Sequence, residues 1–304
     1  MEMFVFIALK LVPLYVFIAL GFVAGKFFKV EAQQIGTLVI YVIMPFVFFS
    51  GLWGANFEIE NLSVFFVVWG LGLLILILSY FLCGFIYKGK TQNLIAAGLP
   101  TGNSGYFGIP VALVLFDSNL FGIYLIAAIS NTMFQITIGY YVLALGHFDW
   151  RQALEKLLRL PPLYGACLGL TFSVLGIPLP DIIAETSVTL KDAFIVLGMM
   201  IIGLTLSGFK TLKLDFKFLT LAMFVRFVIW PFLTFCLVLL DKQFFGGILE
   251  DMYPIIILFG LLPVGADFAI YAANMNMYPQ RAATVVLLST LIAAIVIPLV
   301  YAWQ

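Results

Sequence analysis

Apolar residues run along this chain in long blocks separated by short polar connections. A helix that crosses a bilayer needs about 20 apolar residues. By that rule the blocks predict ten spans, near 3–25, 34–53, 63–87, 92–116, 119–145, 161–177, 188–208, 217–240, 252–274 and 281–302. The connections are too short to hold an extramembrane domain. In the longest, 147–160, Trp150, Ala153, Leu154, Leu157 and Leu158 have the spacing of a short amphipathic helix on the membrane surface.

Two of the blocks are interrupted. The fourth is broken by Leu99-Pro100-Thr101-Gly102-Asn103-Ser104-Gly105-Tyr106-Phe107-Gly108-Ile109-Pro110, the ninth by Leu262-Pro263-Val264-Gly265-Ala266-Asp267. Inside a bilayer a broken helix leaves N–H and C=O groups without partners, which costs several kcal/mol per group unless protein or a wet cavity satisfies them. Paired breaks in corresponding positions are the sequence mark of a transporter built from repeats, with its binding site where the breaks meet. The halves also share an opening: Lys10-Leu11-Val12-Pro13-Leu14-Tyr15 parallels Arg159-Leu160-Pro161-Pro162-Leu163-Tyr164, and Leu99-Pro100-Thr101-Gly102 parallels Leu262-Pro263-Val264-Gly265. This order predicts a first five-span unit over 1–146, a connector over 147–160 and a second unit over 161–304. An odd number of spans per unit inverts the second relative to the first.

Composition agrees with a membrane protein: 64% of the 304 residues are hydrophobic and 10% are charged, where soluble domains carry about 25% charge. Net charge is zero, so no global field recruits nucleic acid. Cys83, Cys167 and Cys236 lie in apolar blocks and their spacing forms neither a zinc site nor a disulfide framework. The Met1-Glu2 start has no cationic region or cleavage site of a signal peptide, so the first block is read as a permanent span. Lysine and arginine set the orientation. Connections after the odd spans carry Lys26, Lys29, Lys88, Lys90, Arg151, Lys156, Arg159, Lys210, Lys213, Lys217 and Arg281, against Lys191 and Lys242 on the other side. That bias puts the odd connections in the cytoplasm and both termini outside. The acidic residues Glu58, Glu60, Asp117, Asp181, Glu185, Asp241, Glu250 and Asp251 crowd the outer side.

The chemistry is expected at the breaks. Gly102, Gly105 and Gly108 supply backbone freedom, Pro100 and Pro110 remove donors, and Asn103 and Ser104 bring polar groups into a span. An unwound crossing would turn half-helix N-termini, with their partial positive charge, toward a cavity suited to a carboxylate. Pro263 and Gly265 make the second break, and Asp267 follows it. A carboxylate near the bilayer centre marks a functional site by default. Asp267 can hold a proton or a sodium ion, bind a cationic part of a solute, or pair with another buried group such as Arg226. Arg226, well inside span eight, has three readings: a clamp on a substrate carboxylate, a partner for Asp267, or a side chain that snorkels to the cytoplasmic surface. Lys10, a third of the way into span one, can reach the outer interface. Asn131 and Gln135 in span five lie on one helical face and either line the cavity or tie helices together. His147, the single histidine, lies at a span end, and the chain shows no Ser/His/Asp set, metal-ligand cluster or phosphate loop, so no enzyme and no bound cofactor is expected.

The residues Gly102-Asn103-Ser104-Gly105-Tyr106-Phe107-Gly108-Ile109-Pro110 resemble the glycine–asparagine–proline signature of the auxin efflux carrier family. Leu20-Gly21-Phe22-Val23-Ala24-Gly25 and Tyr41-Val42-Ile43-Met44-Pro45 are similar to the family's opening, and Ser289-Thr290-Leu291 with Ile297-Pro298-Leu299 to its close. The resemblance implies an all-α membrane protein with ten helices in two inverted five-helix repeats, crossed broken helices four and nine, elevator-type movement, and a homodimer through the scaffold spans. It implies an organic-anion substrate held in part by an asparagine at each crossing. Asn103 matches the first, whereas Asp267 stands where the family commonly shows asparagine, which suggests coupling to a proton or sodium ion. The short connector suggests a compact bacterial member of an inner membrane. The expected function is therefore a secondary transporter of mono- or dicarboxylates. The rivals are a sodium/proton antiporter or a bile-acid-type sodium symporter on the same plan, and, from another class, a receptor or intramembrane enzyme. A receptor would normally carry a soluble output domain. An intramembrane protease would need a second aspartate or a Ser/His pair within spans.

Overall fold

The computed structural model describes residues 2–53, 62–105, 107–208 and 215–301. Tyr106, Glu58, Glu60, Lys210 and Lys213 lie outside them, as do the side chains of Lys10 and Pro110. Among the described residues there is no strand, and the elements are helical. They are α1 (Glu2–Phe28), α2 (Ala32–Trp53), α3 (Leu62–Gly84), α4 (Lys90–Gly98), α5 (Gly108–Leu115), α6 (118–145), α7 (Trp150–Leu158), α8 (Pro161–Val174), α9 (Asp181–Ser207), α10 (Phe216–Phe244), α11 (Tyr253–Leu261), α12 (Ala266–Asn274) and α13 (Pro279–Tyr301). Among the described residues, six helices are long and apolar enough to cross a membrane, α2, α3, α6, α9, α10 and α13, and Val12–Phe28 of α1 is a shorter apolar helix. A seventh arises if α7 and α8, bent by 53° at their junction, count as one. The chain is thus a multi-span membrane protein. The fourth and ninth expected spans are each split into halves of eight or nine residues, which is why length alone does not find them.

Three long helices contain a π-helical turn: Val39–Ile43 in α2, Gln135–Gly139 in α6 and Val225–Ile229 in α10. In α2 and α10 the turn comes just before a proline, Pro45 or Pro231. Proline removes a donor and pushes on the carbonyl four residues back, and a widened turn absorbs both effects without ending the helix. The expected connector helix forms as α7, started by a capping box in which Asp149 accepts the N–H of Gln152. The seventh expected span begins earlier than its apolar block, at Asp181, because Pro180 stands at the N-cap and the polar turn 181–187 joins the helix.

Close packing is concentrated in two helix pairs, α1 with α9 and α2 with α8. A Cβ at Gly21 or Gly203 would collide with the backbone of the facing helix at Met200 or Ile18. At Gly165 and Gly169 it would strike the backbone of Pro45 and Phe49. Gly21 with Gly25, and Gly165 with Gly169, are small residues four apart. That spacing lets membrane helices approach backbone to backbone.

Candidate functional site

The first break begins where α4 reaches Leu99, still near helical geometry (φ −80°, ψ −24°), and Pro100 ends it. The second begins at Leu262, whose ψ of 147° turns the chain out of α11. Gly265 (φ −61°, ψ 136°) stays extended before α12 starts at Ala266. The two unwound segments meet. Gly102 and Val264 form an isolated antiparallel bridge. The Asn103 N–H donates to the Pro263 carbonyl at 2.8 Å and the Gly265 N–H to the Thr101 carbonyl at 3.2 Å. Each break therefore satisfies part of the other's exposed backbone, as a sheet would, at a place where no water is needed to do it.

Side chains from three further helices add hydrogen bonds to the breaks. From α6, Asn131 Nδ2 donates to the Gly102 carbonyl at 2.8 Å and to Ser104 Oγ at 3.0 Å. Its Oδ1 accepts the Gly102 N–H at 3.2 Å. One turn on, Gln135 accepts from the Thr101 hydroxyl. Tyr124, also on α6, donates to the Ser104 carbonyl at 2.6 Å. From α13, Ser289 Oγ accepts the Val264 N–H at 3.1 Å. From α10, Trp230 Nε1 donates to the Leu99 carbonyl at 2.8 Å. Arg226 Nε donates to Leu262 and its Nη2 to Phe259, the latter at 2.9 Å.

The profile of the membrane transport protein family matches residues 6–148 and 148–301. The chain belongs to this auxin-efflux-carrier-like family. An uncharacterized transporter of Methanocaldococcus jannaschii is 28% identical over 216 residues, 68% of this chain and 70% of that protein. An uncharacterized transporter of Methanothermobacter thermautotrophicus is 25% identical over 296 residues, 93% of this chain and 94% of its own length.

In this family member the residues singled out by sequence converge unevenly. Gly102, Asn103, Ser104, Pro263 and Gly265 all lie buried at the crossing. Gly108 begins α5, and a Cβ there would collide with the Tyr124 hydroxyl, whereas Gly105 is exposed with no atom within 4 Å of where its Cβ would stand. Pro110 falls inside α5. Asn103 Oδ1 accepts the Phe107 N–H at 3.3 Å, closing the loop on itself. Asp267 stands in the first turn of α12; the residue is partly exposed, but its Oδ1 is buried without a hydrogen-bond donor. The carboxylate therefore sits at the positive end of a half-helix, where a negative charge is favoured.

Two readings of Arg226 are corrected. It does not snorkel to the surface, because its relative exposure is 0%. It forms no ion pair with Asp267 either; among the described residues the ion pairs are Arg159 with Glu155 and Arg281 with Asp215. Its cation lies on the carbonyls at the end of α11, where the helix dipole is negative. Asn131 and Gln135 are both buried, and the Asn131 amide and Gln135 Oε1 bond to the first break. Sequence reading did not place Trp230, Ser289 or Tyr124 at the breaks, and named Ser289 only for its resemblance to the family's close. The one signal that could have found Trp230 is its place four residues after Arg226, on the same helical face.

Proposed function

We propose that this protein is a secondary active transporter of small organic anions, mono- or dicarboxylates, that moves by an elevator-type mechanism coupled to a proton or sodium ion. The observation that carries the reading is the crossing itself: two unwound segments bridged at Gly102 and Val264 in a chain of a membrane transport family. In this reading α4–α5 and α11–α12 each make one interrupted crossing, and ten crossings form two inverted units over 1–146 and 161–304. The helix pairs support it. α1 of the first unit packs on α9 of the second, and α8, which opens the second, packs on α2 of the first. Exchanging the two units turns one pair into the other. The helices around the crossing would then move against α1, α2, α8 and α9, and those four would also form a homodimer. The protein would lie in the plasma membrane with both termini outside.

Asn103 and the half-helix ends would hold the carboxylate, and Asp267 would carry the coupling ion on an oxygen that has no donor of its own. A substitution Asp267→Asn should then abolish the pH or sodium dependence of transport while the protein still folds; unchanged ion dependence would sink the coupling role. The same unpaired carboxylate favours the cation-exchanger reading as the second choice. Thermal unfolding of the purified protein against a panel of small carboxylates, with and without sodium, at mildly acidic and mildly alkaline pH, separates them. A ligand that binds the native state raises its apparent stability by mass action. Stabilisation by a carboxylate that depends on sodium or on low pH supports coupled anion transport. Stabilisation by sodium with every carboxylate inert overturns it in favour of exchange.

A further inference from the structure

A helix that stops inside a bilayer strands the carbonyls of its last turn. Both α4 and α11 stop this way; their continuations serve Ile95 and Leu258, through the Leu99 and Leu262 N–H groups, but not the carbonyls of Leu99 and Phe259. The Asn103 N–H, four residues past Leu99, is spent on Pro263. Pro263, four residues past Phe259, has no N–H. Donors reach both ends from a single helix, α10: Trp230 Nε1 for Leu99, and Arg226 Nε and Nη2 for Leu262 and Phe259. The two side chains are one turn apart, and the guanidinium lies over the indole ring at 4.9 Å from its centroid, so each orients the other. Arg226 is held in the π-helical turn Val225–Ile229. A Cβ at Gly102 would stand 2.7 Å from its Nη2, so the guanidinium is wedged between the end of α11 and the first break.

We infer that Arg226 and Trp230 form a donor clamp on α10 that sets how the two broken helices meet, which makes Arg226 a positioning residue. The edge of a guanidinium that grips a carboxylate in bidentate fashion is a pair of free N–H donors. Here the Nε–Nη2 edge is spent on backbone carbonyls, while the remaining Nη1 is buried with no hydrogen-bond partner. The position also explains how a fully buried arginine persists without an acidic partner. Two carbonyls and the negative end of α11 replace the counter-charge. This inference does not depend on which solute is carried.

The test reads the crossing directly. Gly105→Cys is made in a background where Cys83, Cys167 and Cys236 are alanine, because Gly105 is exposed and its Cβ has open space. Its rate of reaction with N-ethylmaleimide is measured well below the melting temperature. Trp230→Phe keeps the ring and removes only the donor to Leu99. It should change the labelling rate about fivefold, the size expected for one hydrogen bond. Arg226→Met should change it by tenfold or more, since the lost bonds come from a charged donor. Arg226→Lys keeps the charge but not the fork, and should resemble Arg226→Met. A residue that merely adds stability would lower the melting temperature and leave labelling of the folded protein unchanged; that result in Trp230→Phe overturns the clamp. Labelling in Arg226→Lys equal to the parent would overturn it as well, by making charge alone sufficient. If Arg226→Met does not fold, Trp230→Phe decides.

Discussion

The two breaks meet at one point but are built differently. The first runs from Leu99 to Phe107 and is held by side-chain amides, hydroxyls and an indole drawn from α6 and α10. The second takes only Leu262 to Gly265 and is held by a serine from α13 and a guanidinium from α10. A longer unwound segment exposes more backbone, so it needs more donors and acceptors and closer packing to seat them. A short one can leave the helix and re-enter with little outside help. The difference teaches that matching motifs in two halves of a chain need not be equally demanding sites.

The sharpest way to break this contrast is Asn131→Ala. It removes three hydrogen bonds from the first break and nothing from the second. Hydrogen bonds between membrane helices average about 0.6 kcal/mol each, so a loss of about 2 kcal/mol is expected in reversible unfolding from mixed micelles. Next is Gly108→Ala, whose added methyl meets the Tyr124 hydroxyl that serves Ser104. Overpacking of this kind costs about 1–3 kcal/mol, and the double variant with Tyr124→Phe should recover part of it in the same unfolding measurement. Ser289→Ala leaves the Val264 N–H without its acceptor and should cost about 1 kcal/mol, read as a small fall in melting temperature. The smallest effect belongs to Gly265→Ala. Its φ of −61° suits any residue and its Cβ would meet nothing nearer than 3.5 Å, so the melting temperature should hold within a degree or so, about 0.5 kcal/mol at most. A large loss there, or tolerance of Gly108→Ala, would show that the two breaks are not built as described.

Much of this was legible before any coordinates. Pro100, Pro263 and the polar run Thr101–Ser104 placed both breaks, because proline and glycine act on the backbone at their own positions. The spacing of Trp150, Leu154 and Leu158 placed α7 for the same local reason. What was not legible is who answers the broken backbone. Arg226 allowed three readings in sequence, and none included the carbonyls of Leu262 and Phe259 that it serves, because a carbonyl at the end of α11 leaves no trace in the periodicity of α10. Asn131 and Gln135 could be seen to share a face, but not that the face turns to Gly102.

The sequence by itself therefore determined the membrane-embedded helices, the positions of the two interruptions and the membership of a transport family. The first two follow from hydrophobic length and from the local chemistry of proline and glycine, the third from the match of the whole sequence to the family. Only the tertiary structure decided that the interruptions pair through Gly102 and Val264, and that α6, α10 and α13 supply the missing hydrogen bonds. It also left Asp267 at a helix end with an oxygen unanswered. Those choices depend on which distant helix arrives beside a stranded polar group, and in a chain that is apolar nearly throughout the sequence pattern does not encode that neighbour.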